Sequence, residues 1–267
     1  MEQDLFNSRT TQFHYANALL LAKASLLAYQ PPDIIQPEVA RWGLDRFAFL
    51  DRGDTQAFLA GNEEMIVLSF RGTEPQRLQD WMTDAKIKRV KGPYGKVHRG
   101  FLKGLTLVWS EIREVIREWQ IHGQSVWVTG HSLGGALATL AVAAFGEEAK
   151  PIHGLYTFGQ PRVGGKTFAR NFDLEYQART FRFVNNNDVV TRVPPRNLGY
   201  RHAGTVLMFD HAGILQTDLH FWNHFLDRVV GRIEDLGKPG TDGIKDHNMA
   251  GYLKQLGRPG NRQIELV

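Results

Sequence analysis

One serine stands in a pattern that is typical of a catalytic nucleophile. Residues 130–134 read Gly-His-Ser-Leu-Gly, after the apolar run 126–129 and before an alanine-rich helical stretch. A G-x-S-x-G motif between a strand and a helix forms a sharp turn that holds the serine oxygen clear of the sheet. A side chain at Gly130 or Gly134 would collide with a neighbouring element at such a turn. The pattern predicts Ser132 as the nucleophile, and the alternative is a glycine-rich turn that only connects two elements.

Asp188 is the best candidate for the acid that such a serine requires. A serine hydroxyl is a weak nucleophile at neutral pH, so it needs an adjacent base, and the base needs an orienting carboxylate. In hydrolases with this turn the chain order is serine, acid, histidine. Asp188 follows the strand-like run 180–184, at the sheet edge where the sites of parallel sheets form. Asp210, after the strand-like run 204–209, is the alternative.

Several histidines follow Asp188 and are candidates for the general base. His220 and His224 are four residues apart on a predicted helix, a spacing that can bind a metal, although two such histidines are more often simply exposed. His247 lies in a long loop, which can carry an imidazole over the sheet edge more freely than a helix can. His131 is not expected to be the base, because adjacent side chains at this turn point apart. The candidates are His202, His211, His220, His224 and His247.

An oxyanion hole needs two backbone donors near the serine. The N–H of Leu133, at the start of the helix, is directed toward negative charge that forms beside Ser132. The end of the apolar run 65–70 is the natural source of the second donor, and there we expect the N–H and hydroxyl of Thr73. The alternative interpretation of Thr73 is an ordinary turn residue at a strand end.

Residues 74–97 show no strong strand pattern and are expected to contain a lid. Leu78, Trp81, Met82 and Ala85 recur at helical spacing among charged residues, which predicts a short amphipathic helix. A surface helix packed on the core is the alternative to a movable lid. Because basic residues cluster in and beside this segment, we expect a lid to open at a lipid–water interface with help from anionic lipid.

The order of strand-like and helical runs predicts a single α/β domain over residues 1–267. Three strand-like runs come first, with a hairpin turn at residues 52–54, and strands then alternate with helices. This order indicates a mixed, mostly parallel sheet flanked by helices. A helix is predicted over residues 11–29, ended by Pro31 and Pro32, and a linker with a buried tryptophan is expected at residues 40–44.

Composition excludes some kinds of chemistry and leaves others open. The chain has 267 residues, of which 42% are hydrophobic and 22% are charged, and this composition is typical of an ordinary globular domain. It contains no cysteine, which excludes disulfides, cysteine nucleophiles and thiolate metal sites. The formal net charge is +4, but no basic run interleaved with aromatic residues indicates nucleic-acid binding.

The N-terminal apolar stretch does not have the features of a secretory signal. Lys23 divides it, and Glu2 and Asp4 precede it where a signal peptide is basic. No run is long enough to span a bilayer. We therefore expect a protein that is cytoplasmic or exported by a route independent of such a signal.

These motifs together resemble the class 3 lipases, the filamentous-fungal type of triacylglycerol lipase with an α/β-hydrolase fold. The resemblance implies Ser132, Asp188 and His247 as the triad, Thr73 and Leu133 as oxyanion donors, and a lid after Thr73. Secreted fungal members carry disulfides and a signal peptide, so the absence of both indicates a bacterial member. The matching stretches are residues 70–73, 80–84, 97–101, 129–136, 156–164, 184–188, 193–195 and 246–247, with Tyr252.

The sequence therefore predicts a serine carboxylester hydrolase, foremost a triacylglycerol lipase that acts through an acyl-enzyme. Feruloyl esterase and phospholipase A1 are alternatives on the same scaffold, and a lipid-binding protein on an inactive hydrolase fold is the non-enzyme alternative. We expect no cofactor, no metal and no nucleic-acid partner. The expected partner is a lipid or ester substrate, met at a lipid–water interface, and the expected oligomeric state is a monomer.

Overall fold

The strand that leads to Ser132 lies in the middle of an eight-stranded sheet. The structure is a computed structural model that describes residues 6–73, 88–150, 152–216 and 242–262. The strands of the main sheet, in chain order, are β1 (Arg46–Arg52), β2 (Thr55–Gly61), β3 (Met65–Phe70), β6 (Ser125–His131), β7 (Gly154–Phe158), β9 (Thr180–Asn185), β11 (Thr205–Phe209) and β12 (Leu215–Gln216).

The main sheet changes from antiparallel to parallel at β3. The spatial order follows the chain order, and β1, β2 and β3 form an antiparallel meander. The pairs from β3 through β6, β7 and β9 to β11 are parallel, and β12 returns antiparallel. The predicted mixed, mostly parallel sheet with an antiparallel start is confirmed. Parallel pairing brings the carboxyl ends of β3, β6, β7 and β9 to one edge, where the candidate site residues follow.

Helices cover both faces of this sheet, so its central strands are apolar on both sides. In β6, Val126 and Val128 face one core and Trp127 faces the other. The α-helices of the described ranges are α1 (Tyr15–Leu27), α2 (Pro32–Arg41), α3 (Arg99–Trp119), α4 (Leu133–Glu147), α5 (Lys166–Tyr176), α6 (Asp242–Lys245) and α7 (Met249–Leu256). Helices α3, α4 and α5 pack on the first face, and α1, α2 and α7 pack on the second.

The prediction that Pro31 and Pro32 only end the first helix was incomplete. Pro32 begins α2, which occupies part of the expected linker. Proline is compatible with the first helical position, because the N–H that it lacks has no acceptor within the helix there. Trp42, expected to be buried in a linker, is half-buried at the end of α2.

The expectation that residues 74–97 lack strands was wrong for the last third of that segment. Strands β4 (Arg89–Gly92) and β5 (Gly95–His98) form a hairpin, which joins β8 (Gly164–Gly165) and β10 (Tyr200–Arg201) in a second sheet. The glycines and the proline of residues 92–95 form the turn of this hairpin. Residues 74–87 of the predicted lid lie outside the described residues, as does the predicted helix that carries His220 and His224.

Two further features complete the description of the fold. The peptide bond between Val193 and Pro194 is cis. Among the helices of the described ranges, none combines the length and the apolar character needed to cross a membrane.

Replacement of Gly134 by alanine tests the close approach of α4 to β3. A Cβ at Gly134 would lie 2.2 Å from the Phe70 carbonyl oxygen, a backbone atom that cannot rotate away. Helix propensity alone would favour alanine by about 1 kcal/mol. We expect Gly134→Ala instead to lower the free energy of unfolding by about 1–3 kcal/mol, the usual penalty of overpacking. Urea unfolding measures the change.

Gly260→Ala is the matched control. In the described part of the chain no heavy atom lies within 4 Å of a Cβ built there. Its unfolding free energy should stay within about 0.5 kcal/mol of the parent value. Equal effects at the two positions would contradict the packing explanation.

Candidate active site

Ser132 occupies the turn between β6 and α4 in a strained backbone conformation. Its φ of 57° and ψ of −128° are unusual for a residue with a side chain. The turn is held by hydrogen bonds on both sides, because Ser132 N–H donates to the Phe158 carbonyl over 2.9 Å and Gly135 N–H donates to the Ser132 carbonyl over 3.0 Å. The side chain is buried, and its Oγ has no hydrogen-bond partner among the described residues.

Asp188 and His247, far apart in sequence, meet at the carboxyl edge of the sheet. The Nδ1 atom of His247 lies 3.0 Å and 2.9 Å from the two carboxylate oxygens of Asp188. The side chain of His247 is 6% exposed and that of Asp188 is fully buried. Because a carboxylate accepts, Nδ1 carries the proton and Nε2 is left as the basic nitrogen. Nε2 is buried and has no partner in the parts of the chain that are described.

Two further donors fix the orientation of the Asp188 carboxylate. The Val190 N–H donates to Oδ1 over 2.9 Å, and the Tyr252 hydroxyl donates to Oδ2 over 2.5 Å. The pKa of Tyr252 is raised well above its ordinary value by burial and by the negative charge of Asp188, so its hydroxyl stays protonated. The same hydroxyl accepts the Asn185 N–H over 3.0 Å. Tyr252 therefore connects α7 both to the end of β9 and to the Asp188 carboxylate.

Gly159, at the end of β7, permits the approach of His247 to Asp188. Its φ is +60°, and a Cβ there would lie 2.8 Å from both Asp188 Oδ2 and His247 Nδ1. The sequence analysis assigned no role to Gly159 or to Tyr252. Both lie in stretches that match the family pattern, but their function depends on contacts between elements distant in the chain.

The turn of the serine and the loop of the histidine are in contact through His131. The imidazole rings of His131 and His247 have centroids 4.5 Å apart. The structure therefore places Ser132, His247 and Asp188 at one edge of the sheet. This edge therefore brings together the parts of a proton relay, which are a serine hydroxyl, an imidazole and a buried carboxylate.

The predicted oxyanion donors lie beside Ser132. Leu133 is the first residue of α4, and N–H groups of a first helical turn have no acceptor within the helix. Thr73 follows the end of β3 and is half-buried. A Cβ built on the preceding residue, Gly72, would lie 3.2 Å from the Ser132 Cβ, so this strand end borders the serine.

The alternative acid and base candidates lie in other surroundings. The Asp210 carboxylate accepts the Ala212 and Ile214 N–H groups over 2.9 Å and 3.0 Å, within the turn between β11 and β12. His202 is held through Nε2, 2.7 Å from the Thr191 carbonyl oxygen. Burial, followed by nearby arginines, lowers the pKa of His202 well below its usual value. Such contacts are those of structural groups.

Other predicted residues lie outside the described residues. These are Leu78, Trp81 and Met82 of the predicted lid, and the two histidines His220 and His224. His211 is described and is exposed. Within the described ranges no group of three or more histidine, aspartate or glutamate side chains is placed to hold a metal ion.

The fold and the arrangement of the site define an α/β-hydrolase with a candidate Ser-Asp-His triad. Residues 67–198 match the family model described as lipase (class 3), and the chain belongs to the class 3 lipase family. It is 30% identical over 251 residues to the triacylglycerol lipase OBL1 of Arabidopsis thaliana, covering 72% of this chain and 48% of that protein. It is 35% identical over 162 residues to a lipase of Rhizomucor miehei, covering 57% of this chain and 44% of that protein.

Solved structures resemble the chain over a larger share of its length. The triacylglyceride lipase of Rhizomucor miehei superposes with a TM-score of 0.63 at 25% identity, covering 86% of this chain and 92% of that one. A triacylglycerol lipase whose catalytic centre is described as a serine protease triad gives a TM-score of 0.63 at 26% identity with the same coverage. The chain spans about half the length, or less, of the relatives named above from sequence comparison.

Replacement of Tyr252 by phenylalanine tests the hydroxyl that holds Asp188. The change removes one donor from a buried carboxylate, and a hydrogen bond to a charged group contributes about 1.5–3 kcal/mol. We expect the unfolding free energy of Tyr252→Phe to fall by about that amount in urea titration.

Tyr200→Phe is the matched control for this prediction. Tyr200 is also fully buried, but its hydroxyl has no hydrogen-bond partner within the described residues. Removal of an unpaired buried hydroxyl should leave stability unchanged or raise it. A loss at Tyr200 as large as that at Tyr252 would show that the hydrogen bond to Asp188 is not the cause.

Proposed function

We propose that this protein is a serine carboxylester hydrolase, and specifically a lipase that hydrolyses acylglycerols. The observation that carries the proposal is the buried contact of His247 Nδ1 with Asp188, 2.9 Å long, at the sheet edge that also carries the strained Ser132. The names of its relatives, among them a triacylglycerol lipase, support the substrate class. We extend the proposal to the whole chain as one α/β-hydrolase domain.

In the acylation step, Ser132 Oγ attacks the ester carbonyl carbon while His247 Nε2 takes the serine proton. The carbonyl π electrons move to oxygen, and the N–H groups of Thr73 and Leu133 donate to the oxyanion that forms. When the tetrahedral intermediate collapses, the C–O bond to the alcohol breaks. The leaving alcohol takes the proton from His247, and the acyl group remains as an ester of Ser132.

Deacylation repeats these proton transfers with water as the nucleophile. His247 Nε2 removes a proton from water as its oxygen bonds to the acyl carbon, and the proton then passes to Ser132 Oγ as the carboxylic acid leaves. Asp188 keeps Nδ1 protonated and stabilises the imidazolium formed in each half-reaction. The contacts that hold the carboxylate already exist in the structure, so little reorganisation accompanies the charge that develops.

The choice of acyl group depends on surfaces beyond the triad. The lid predicted at residues 74–97, in the part that precedes β4, would present its apolar side chains to substrate at a lipid–water interface, and we propose this role for it. This role of the lid is tested by measuring the hydrolysis rate of one ester at concentrations below and above its solubility limit. A jump in rate at the limit is expected, and a smooth hyperbola would argue for an esterase without interfacial activation.

Ser132→Ala tests the enzyme class directly. We expect the parent protein to react with a fluorophosphonate at Ser132 and to hydrolyse p-nitrophenyl esters, and the variant to do neither while its circular dichroism is unchanged. A panel of triacylglycerols, phospholipids and feruloyl esters should give the highest kcat/KM for acylglycerols. Preference for another ester would change the substrate class, and failure of the parent to react would favour a lipid-binding protein on an inactive fold.

Asp188→Asn and Asp210→Asn form a matched pair that tests the identity of the acid. In serine hydrolases, loss of this charge typically lowers kcat about 10⁴-fold, because the histidine is no longer held in the required tautomer. We expect a loss of that order for Asp188→Asn and kcat within about twofold of the parent for Asp210→Asn. Steady-state kinetics with one p-nitrophenyl ester measure both, and the opposite ranking would transfer the role to Asp210.

A further inference from the structure

A chain of hydrogen bonds connects the end of α1 to the backbone of His247. The Tyr29 hydroxyl lies 2.7 Å from Nδ1 of His131. The Nε2 atom of His131 lies 2.7 Å from the carbonyl oxygen of His247. Neither contact belongs to the proton relay, yet the second one ends on His247, the residue that the proposed mechanism uses as its base.

The protonation of His131 follows from its partners. A carbonyl oxygen can only accept, so Nε2 of His131 carries the proton. Burial, and then the positive charge that His247 can carry, lower the pKa of His131 well below its usual value, so the ring is neutral. Nδ1 therefore has a lone pair and accepts the hydrogen bond from the Tyr29 hydroxyl.

The groups around His131 come from three elements. The turn that follows α1 supplies Tyr29, and the Arg71 guanidinium lies 5.7 Å from the centroid of the Tyr29 ring. The loop between α6 and α7 supplies His247, whose ring lies beside that of His131 and whose Nδ1 contacts the Asp188 carboxylate. The ring of Tyr252, from α7, lies 6.1 Å from that of His131.

The carbonyls of Asp246 and His247, which are consecutive in the loop between α6 and α7, each accept a hydrogen bond from a buried side chain. The Asp246 carbonyl accepts the Asn185 side-chain N–H over 2.9 Å, from the end of β9. The His247 carbonyl accepts the His131 Nε2–H, from the turn of the nucleophile. The backbone of His247 is thereby fixed relative to both the acid and the serine.

We propose that Tyr29 and His131 are positioning residues for the catalytic base, which they hold by its main-chain carbonyl. The proposal rests on the proposed function, because it assigns His247 as the base. The contact of Asp188 with Nδ1 fixes one end of the imidazole, and the held carbonyl fixes the backbone from which the ring projects. Together these two contacts would set the position of Nε2 relative to the turn that carries Ser132.

A neutral His131 also suits the charge that develops beside it. His247 becomes an imidazolium in each half-reaction, with its ring centroid 4.5 Å from that of His131. A second positive charge there would oppose proton transfer to His247. The hydrogen bond from Tyr29 requires the unprotonated Nδ1 and so favours the form of His131 that leaves His247 basic.

The test compares Tyr29→Phe, His131→Leu and His131→Gln in steady-state kinetics with a p-nitrophenyl ester. Tyr29→Phe removes only the hydroxyl, and we expect kcat to fall about tenfold while KM changes less than about twofold. His131→Leu removes both hydrogen bonds, and a misplaced catalytic group typically costs about 10²-fold in kcat. His131→Gln can again donate to the carbonyl, and its kcat should recover to within about fivefold of the parent.

Tyr15→Phe is the matched control, because the Tyr15 hydroxyl, on the helix α1 that precedes Tyr29, donates to the Leu256 carbonyl over 2.8 Å, away from the relay. We expect it to lower the melting temperature without lowering kcat. An equal loss of kcat in Tyr15→Phe and Tyr29→Phe would overturn the proposal, since attachment of α1 in general would then be the cause. Where His131→Leu does not fold, Tyr29→Phe decides.

Fluorophosphonate labelling separates failure of this proposal from failure of the proposed function. If the parent reacts and hydrolyses esters, and Tyr29→Phe keeps its kcat, the positioning role is overturned and the enzyme class stands. If the parent neither reacts nor hydrolyses esters, the enzyme class is overturned and the positioning role with it.

Discussion

The backbone conformation of Ser132 is the constraint on which the site depends. A residue with a side chain at φ 57° costs about 1–3 kcal/mol, and it persists only where the surrounding structure determines it. Here the determination comes from both sides of the turn. The Phe158 carbonyl on β7 accepts its N–H, and α4 approaches β3 so closely at Gly134 that only a hydrogen fits. The central strands thus place the serine before any catalytic partner is considered.

The parallel sheet converts this local constraint into a site. Because β3, β6, β7 and β9 end at the same edge, residues that follow them in the chain are brought together there. Asp188 follows β9, Thr73 follows β3, and Gly159 follows β7. His247 comes from a loop rather than from a strand, so its position needs contacts that the sheet does not provide. Tyr252, Gly159 and His131 supply those contacts.

How well each site residue could be predicted from sequence depended on how far apart in the chain its contacting residues lie. Ser132 was predictable, because its motif, the strand before it and the helix after it are contiguous. Asp188 was found by the rule that the acid follows a parallel strand, although Asp210, after β11, satisfies the same rule. His247 could not be separated from four other histidines by residue pattern alone, because its pairing with Asp188 crosses 59 positions. The hairpin of β4 and β5 was missed, since short strands with charged residues lack a strong apolar alternation.

The two adjacent histidines show how similar side chains acquire different roles through their partners. His247 presents Nδ1 to a carboxylate, which stabilises an imidazolium, and its Nε2 has no partner among the described residues. His131 presents Nε2 to a neutral carbonyl and Nδ1 to a hydroxyl, so both of its nitrogens are engaged and neither of these two partners carries a counter-charge. Burial therefore keeps His131 neutral, whereas His247 keeps both a basic nitrogen and a counter-charge. The proposed role of His247 as the base rests on these partners, because a base that takes a proton from serine and returns it needs a nitrogen without another partner and a carboxylate that stabilises the imidazolium.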